Sequence, residues 1–170
     1  QDVPRATPSE RIHYWRLAAE RGHLPSVLHY ASGRAFQPSE TLLLLDELAR
    51  FRTDALPMMQ RAAQSGSYQA ALMLARAYEP VSPPDVPPLL KQVIPRPEPA
   101  RSLAYYLLAG QLAGKRSELP KDVIARLQND VKRLRDELPA NEATEAQNHY
   151  RELSAGSVAS QSGQELIDQT

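Results

Sequence analysis

The sequence predicts an all-α protein, a short α-solenoid of about two and a half to three helical hairpins plus C-terminal capping helices. Three observations predict it. No segment alternates apolar and polar residues with the two-residue rhythm of a strand. Helix start and stop signals recur along the whole chain. A pattern of two bulky residues, two further residues and an Ala pair returns at a spacing of roughly 45 residues, the range of two-helix repeats. Composition narrows the class further. The 170 residues carry 20 Lys+Arg against 20 Asp+Glu, which argues against gripping a phosphate backbone. There is no cysteine, so disulfide scaffolds, zinc–thiolate sites and thiol catalysis are excluded for these residues. The longest apolar run, Leu42–Leu45, is far short of the roughly 18–20 residues that span a bilayer.

Each element has a local reason. Thr7, Pro8 and Glu10 form a capping box with Pro at the first helical position, and Ile12, Trp15, Ala18 and Ala19 share one face before Gly22 stops the helix. Pro25 opens a second helix with Val27, Leu28 and Ala31 on its apolar side, ending at Gly33. A third is expected from Ser39 to Arg50, with Leu42, Leu45, Leu48 and Ala49 inward. A fourth is expected to start near Asp54, because Pro57 fits only a first turn, and to stop at Gly66. Tyr68 to Tyr78 makes the next, ended by Pro80.

Of the 15 prolines, those at 80, 83, 84, 87, 88, 95, 97 and 99 crowd one segment, which reads as an extended, partly polyproline loop. Its Val86, Leu89, Leu90, Val93 and Ile94 predict that it packs on something. Pro99 opens a helix to Gly114, and another runs from Pro120 to Leu138. Asn141 is expected to cap the last helix, which turns Ala143, Ala146, Tyr150 and Leu153 inward. The predicted organisation is an N-terminal extension over 1–8, one helical-repeat domain over 9–155 and a flexible tail over 156–170.

Tyr14-Trp15-Arg16-Leu17-Ala18-Ala19-Glu20-Arg21-Gly22 aligns with Met58-Met59-Gln60-Arg61-Ala62-Ala63-Gln64-Ser65-Gly66, and Tyr105-Tyr106-Leu107-Leu108-Ala109-Gly110 follows more loosely. The Ala pair allows close helix approach, and the Gly permits a left-handed turn into the partner helix. In the second unit that partner carries Ala70, Ala71, Leu74, Ala75 and Tyr78. On these residues the chain resembles the Sel-1-like repeat family, relatives of the tetratricopeptide repeat, over Ser9–Gly114. It departs from the pattern at Ser26 and Tyr30, and at Gly110, which stands where the second Ala belongs. The resemblance implies a protein-binding role in a bacterial envelope or periplasmic adaptor, or in an immunity protein that inhibits a secreted toxic effector.

No Gly-x-Ser-x-Gly elbow, His-Glu-x-x-His pair or phosphate-cradling loop is present, so no catalytic residue is assigned and the chain is read as no enzyme. His13 and His29 fall on adjacent helices without a third ligand, so no metal and no cofactor is assigned. Lys132-Arg133-Leu134-Arg135, bracketed by acids, reads as a solvated face, with no nucleic acid expected. The expected partner is another protein, contacted through Arg16, Glu20, Gln60, Gln64 and Tyr105 on first helices and Lys91, Arg96 and Glu98 in the proline loop. Alternatives are a self-associating assembly protein and a small-ligand binder or enzyme. Gln1 is not Met, which leads to the expectation of a processed or trimmed N-terminus, with a lipid anchor upstream of it possible in a bacterial envelope setting.

Overall fold

The computed structural model describes residues 5–168, and side chains as far as 156; the expected extension over 1–8 lies partly, and the end of the tail at 169–170 wholly, outside the described residues. Among the described residues the fold is all-α, with no strand. The helices are α1 (Pro8–Glu20), α2 (Leu24–Ala31), α3 (Leu45–Gln64), α4 (Tyr68–Tyr78), α5 (Pro88–Val93), α6 (Pro99–Gly114), α7 (Lys121–Glu137) and α8 (Ala140–Asp168). A 3-10 helix covers Pro38–Leu43. The chain divides into two compact units, one holding residues 1–59 and 87–95, the other 60–86 and 96–170.

In the first unit α1 packs on α2. The capping box forms as the sequence requires: Glu10 N–H donates to Thr7 Oγ1, and Thr7 N–H to the Glu10 carboxylate, both at 3.2 Å. Gly22 and Gly33 take φ of +84° and +86°, the left-handed stops read from the sequence. Gly33 carries a second constraint. A methyl group on its α-carbon would lie 2.6 Å from Leu89 Cβ, so α5 sits directly on the end of α2. Tyr30, Phe36 and Phe51 form an aromatic cluster with centroids 5.3 to 6.1 Å apart; Phe51 meets both other rings in the edge-on geometry that ring quadrupoles favour, and Tyr30 and Phe36 are tilted to each other.

Five sequence expectations are corrected. The Ser39–Arg50 helix is instead the 3-10 turn followed by α3. That change of winding, from 3.0 to 3.6 residues per turn, shifts the phase. Leu44, Leu48 and Phe51 are buried, whereas Leu42, Leu43, Leu45 and Ala49 face outward. No break occurs near Asp54; α3 runs through Pro57, which lies on its exposed side. Asn141 is no cap, because α8 begins at Ala140 and Ala143 N–H already donates to Pro139 O at 2.9 Å. The proline-rich segment is not wholly extended either, since α5 forms within it and buries Leu90. Its packing through Leu90 and Ile94 agrees with its apolar content. Gly156 is no helix end, as the backbone of α8 continues to Asp168.

In the second unit α6 packs on α4, α7 and α8. Small residues make the α4–α6 approach close. Ala70, Ala71, Leu74 and Ala75 are fully buried, and Ser102 Oγ donates to Ala75 O at 2.6 Å. The last carbonyls of a helix have no partner within it. Here Ala75 O receives Ser102, Arg76 O receives Ser82 Oγ at 3.1 Å, and Tyr78 O receives Glu98 N–H at 3.0 Å. Ser67, unremarked in the sequence pattern, caps α4 by accepting from Ala70 N–H at 3.2 Å.

Candidate functional site

The second unit presents two open furrows, one on each side of α6. The first, of about 460 Å³, runs between α6 and α7, with Leu107 and Gly110 on one wall and Ile124, Leu127 and Val131 on the other. The second, of about 510 Å³, runs between α6 and α8 over Leu103, Ala143, Thr144 and Gln147. Leu107 and Arg135 line both. The spacing explains the lining: 103, 107 and 110 on α6, and 124, 127 and 131 on α7, recur by three and four, so each set forms one stripe along its helix.

Polar staples fix the walls. Tyr106 OH donates to the Glu79 carboxylate, which also receives Arg133 Nη2 at 3.0 Å. Glu79 is only 5 % exposed. Arg133 continues to Asp130 at 3.4 Å and Glu137 at 3.8 Å, so one guanidinium ties α7 to the end of α4 and, through Glu79, to α6. Burial, reinforced by the hydrogen bond to Glu79, raises the Tyr106 phenol well above its usual range and keeps it a donor. On the other side Gln111 Oε1 accepts from Tyr150 OH at 2.9 Å and Ser154 Oγ at 3.4 Å, fixing α8 against α6.

The rims are cationic. Lys132, Arg135 and Arg151 line the furrows, and none has a carboxylate within ion-pair distance among the described residues. Asp136 is the one acid in either lining. The basic run expected to be a plain solvated face is thus divided: Arg133 serves the staple, and its neighbours line the furrow.

The structure distributes the sequence-expected contact residues unevenly. Arg16 is buried in the first unit, donating to Glu47 and Glu20 at 3.1 Å each and to His13 Nδ1 at 2.8 Å. Its role there is internal, and Glu20, although exposed, is held by it. Tyr105 is 1 % exposed and stacks on Tyr78 with centroids 5.9 Å apart, its phenol pushed up to about 12 by burial. The Gln60 side chain is polar company for both of these tyrosine hydroxyls and favours their charged form. Gln64 and Arg96 are exposed, Lys91 and Glu98 half-buried, and Glu98 pairs with Arg101 at 3.2 Å. Arg16 and Tyr105 are therefore corrected from contact residues to interior ones. The repeat pattern marks the start of a hairpin without telling which of its bulky or polar side chains the next helix covers. None of the expected residues lines either furrow. Leu107, Gly110, Arg135 and Arg151 were missed, and the available signal was Gly110, the departure from the Ala pair.

His29 lies against Trp15 with centroids 4.4 Å apart, while His13 accepts from Arg16. Among the described residues no group of three or more His, Cys, Asp or Glu side chains is placed to hold a metal ion, and no helix is long and apolar enough to cross a membrane. Comparison with protein-family models, curated proteins and solved structures finds no match to the chain.

Proposed function

We propose that this chain is a non-enzymatic protein-binding module. The observation that carries this reading is the pair of stapled, open apolar furrows on α6, sharing Leu107 and edged by cations that have no ion-pair partner among the described residues. Exposed apolar surface held by fixed walls suits recognition of another macromolecule. The resemblance of Ser9–Gly114 to Sel-1-like repeats supports the same class of role. It also suggests the setting, a bacterial envelope adaptor or an immunity protein that blocks a secreted toxic effector.

The test is affinity capture from candidate envelope proteins and effectors, with the wild-type chain and Leu107→Glu side by side. Leu107 is half-buried, so the charge is tolerated by the fold while spoiling both furrows. The expected outcome is a partner retained by the wild type and weakened about a hundredfold by the variant, as for a central interface residue. Capture unchanged by the variant, or a measurable turnover by the purified chain, overturns the reading.

A second reading, self-association, is favoured by one observation: Leu42, Leu43 and Leu45 are 84 %, 71 % and 59 % exposed. A light-scattering mass independent of concentration rejects it.

A further inference from the structure

We propose that the furrow between α6 and α7 seats an acidic amphipathic helix of the protein partner. This rests on the protein-binding reading above and adds the chemistry of what is bound.

The first argument is an unfilled position. Gly110 occupies the register that Ala19 and Ala63 occupy in the two aligned segments. Those alanines are 4 % and 0 % exposed. Gly110 is only half-buried, and a methyl group on its α-carbon would meet no atom within 4 Å. Its backbone is ordinary right-handed helix, so no conformational need explains the glycine. The smallest residue stands where the furrow is open, which admits another chain close to the α6 backbone.

The second argument is shape. The wall from Ile124 to Arg135 covers about 16 Å at 1.5 Å per residue, or three helical turns. Both walls are helical stripes with spacings of three and four. A surface built this way accepts side chains at i, i+3 or i+4, and i+7 of a helix laid along it.

The third argument is charge. Lys132 and Arg135 stand at its edge with no carboxylate in ion-pair reach among the described residues, against the one acid Asp136, and Arg151 lines the adjoining furrow. The chain as a whole is neutral, so this excess is local. Carboxylates flanking the apolar stripe of a bound helix would pair with these cations and set its orientation. Two cations beside an apolar floor make a poor match for a phosphate backbone, which rewards a denser array.

The experiment uses the full chain and a fluorescent synthetic peptide of roughly 16 residues, long enough for the furrow. The peptide carries Leu at i, i+3 or i+4, and i+7 with Glu flanking them; a second peptide replaces each Glu with Lys. By anisotropy, the acidic peptide is expected to bind about tenfold more tightly than its Lys counterpart, and to weaken as salt rises. Lys132→Glu combined with Arg135→Glu is expected to remove that preference. Gly110→Leu, for which the space is open, is expected to weaken binding about tenfold while circular dichroism and thermal unfolding show an intact fold. If both peptides bind equally and Gly110→Leu weakens both, the acidic partner is wrong and the protein-binding reading stands. If neither peptide responds to Gly110→Leu, the α6 furrow is not a protein seat and both fall. A single-stranded oligonucleotide that displaces the acidic peptide at equal concentration also overturns the proposal.

Discussion

A guanidinium with two carboxylates and an imidazole is a costly group to bury unless each donor is used. Arg16 meets that condition, engaging Glu47, Glu20 and His13 through Nε, Nη1 and Nη2. Because Arg16 can only donate, His13 Nδ1 is the acceptor of that bond. Arg16→Ala would leave the Glu47 carboxylate, which is only 9 % exposed, without its cation. The expected loss is about 3 kcal/mol of unfolding free energy, read from urea denaturation. A loss below about 0.5 kcal/mol, the range of a surface substitution, would show that the cluster is not an interior one. The sequence alone presented Arg16 as a polar residue between two aromatics and an Ala pair. Its burial depends on Glu47, 31 residues further on, which no local pattern connects to it.

Among the elements, α3 shows how burial overrides a local rule. Pro57 lacks an N–H for the Thr53 carbonyl, a defect worth about 3 kcal/mol inside a helix. Phe51, Ala55, Met58, Met59, Ala62 and Ala63 keep one buried stripe through it. Burying each large apolar side chain contributes roughly 1.5–3 kcal/mol, so the stripe outweighs the defect. Pro57→Ala is therefore expected to stabilise the protein by about 2 kcal/mol, the regained helix term less the greater freedom of the unfolded chain. Thermal and urea unfolding check it, and a fall in stability would mean the proline is required. The same competition explains α5, where prolines at the first turn permit a helix that buries Leu90. Punctuation of the other kind, caps and left-handed glycines, was legible because it acts through neighbours in sequence. Thr7–Glu10, Gly22 and Pro99 needed no distant partner.

At the scale of the whole molecule, net neutrality hides how charge is used. Arg11, Arg76, Arg101, Arg116 and Arg133 pair with carboxylates, as Arg16 does, whereas the cations of the α6 furrows pair with none among the described residues. One titration bears on stability. Burial, then the charges of Arg34 and Arg11, lowers the pKa of His29 below the ordinary imidazole value of about 6.5. The unfolded chain then binds the proton more readily than the folded one. The neutral imidazole's contribution is full above about pH 6.5, is lost as pH falls below that value, and levels off beneath the folded pKa. Urea midpoints measured across this window should fall with acidification, and His29→Gln should flatten that part of the slope. An unchanged slope would place the titration elsewhere. The all-α class and most helix limits were written in the sequence, because period, caps and stops are short-range physics. The phase of the Leu42–Leu45 run, the burial of Arg16 and Tyr105, and the open space at Gly110 came only with the tertiary structure. Each depends on which helix covers which face, and coverage is decided by packing between residues distant along the chain.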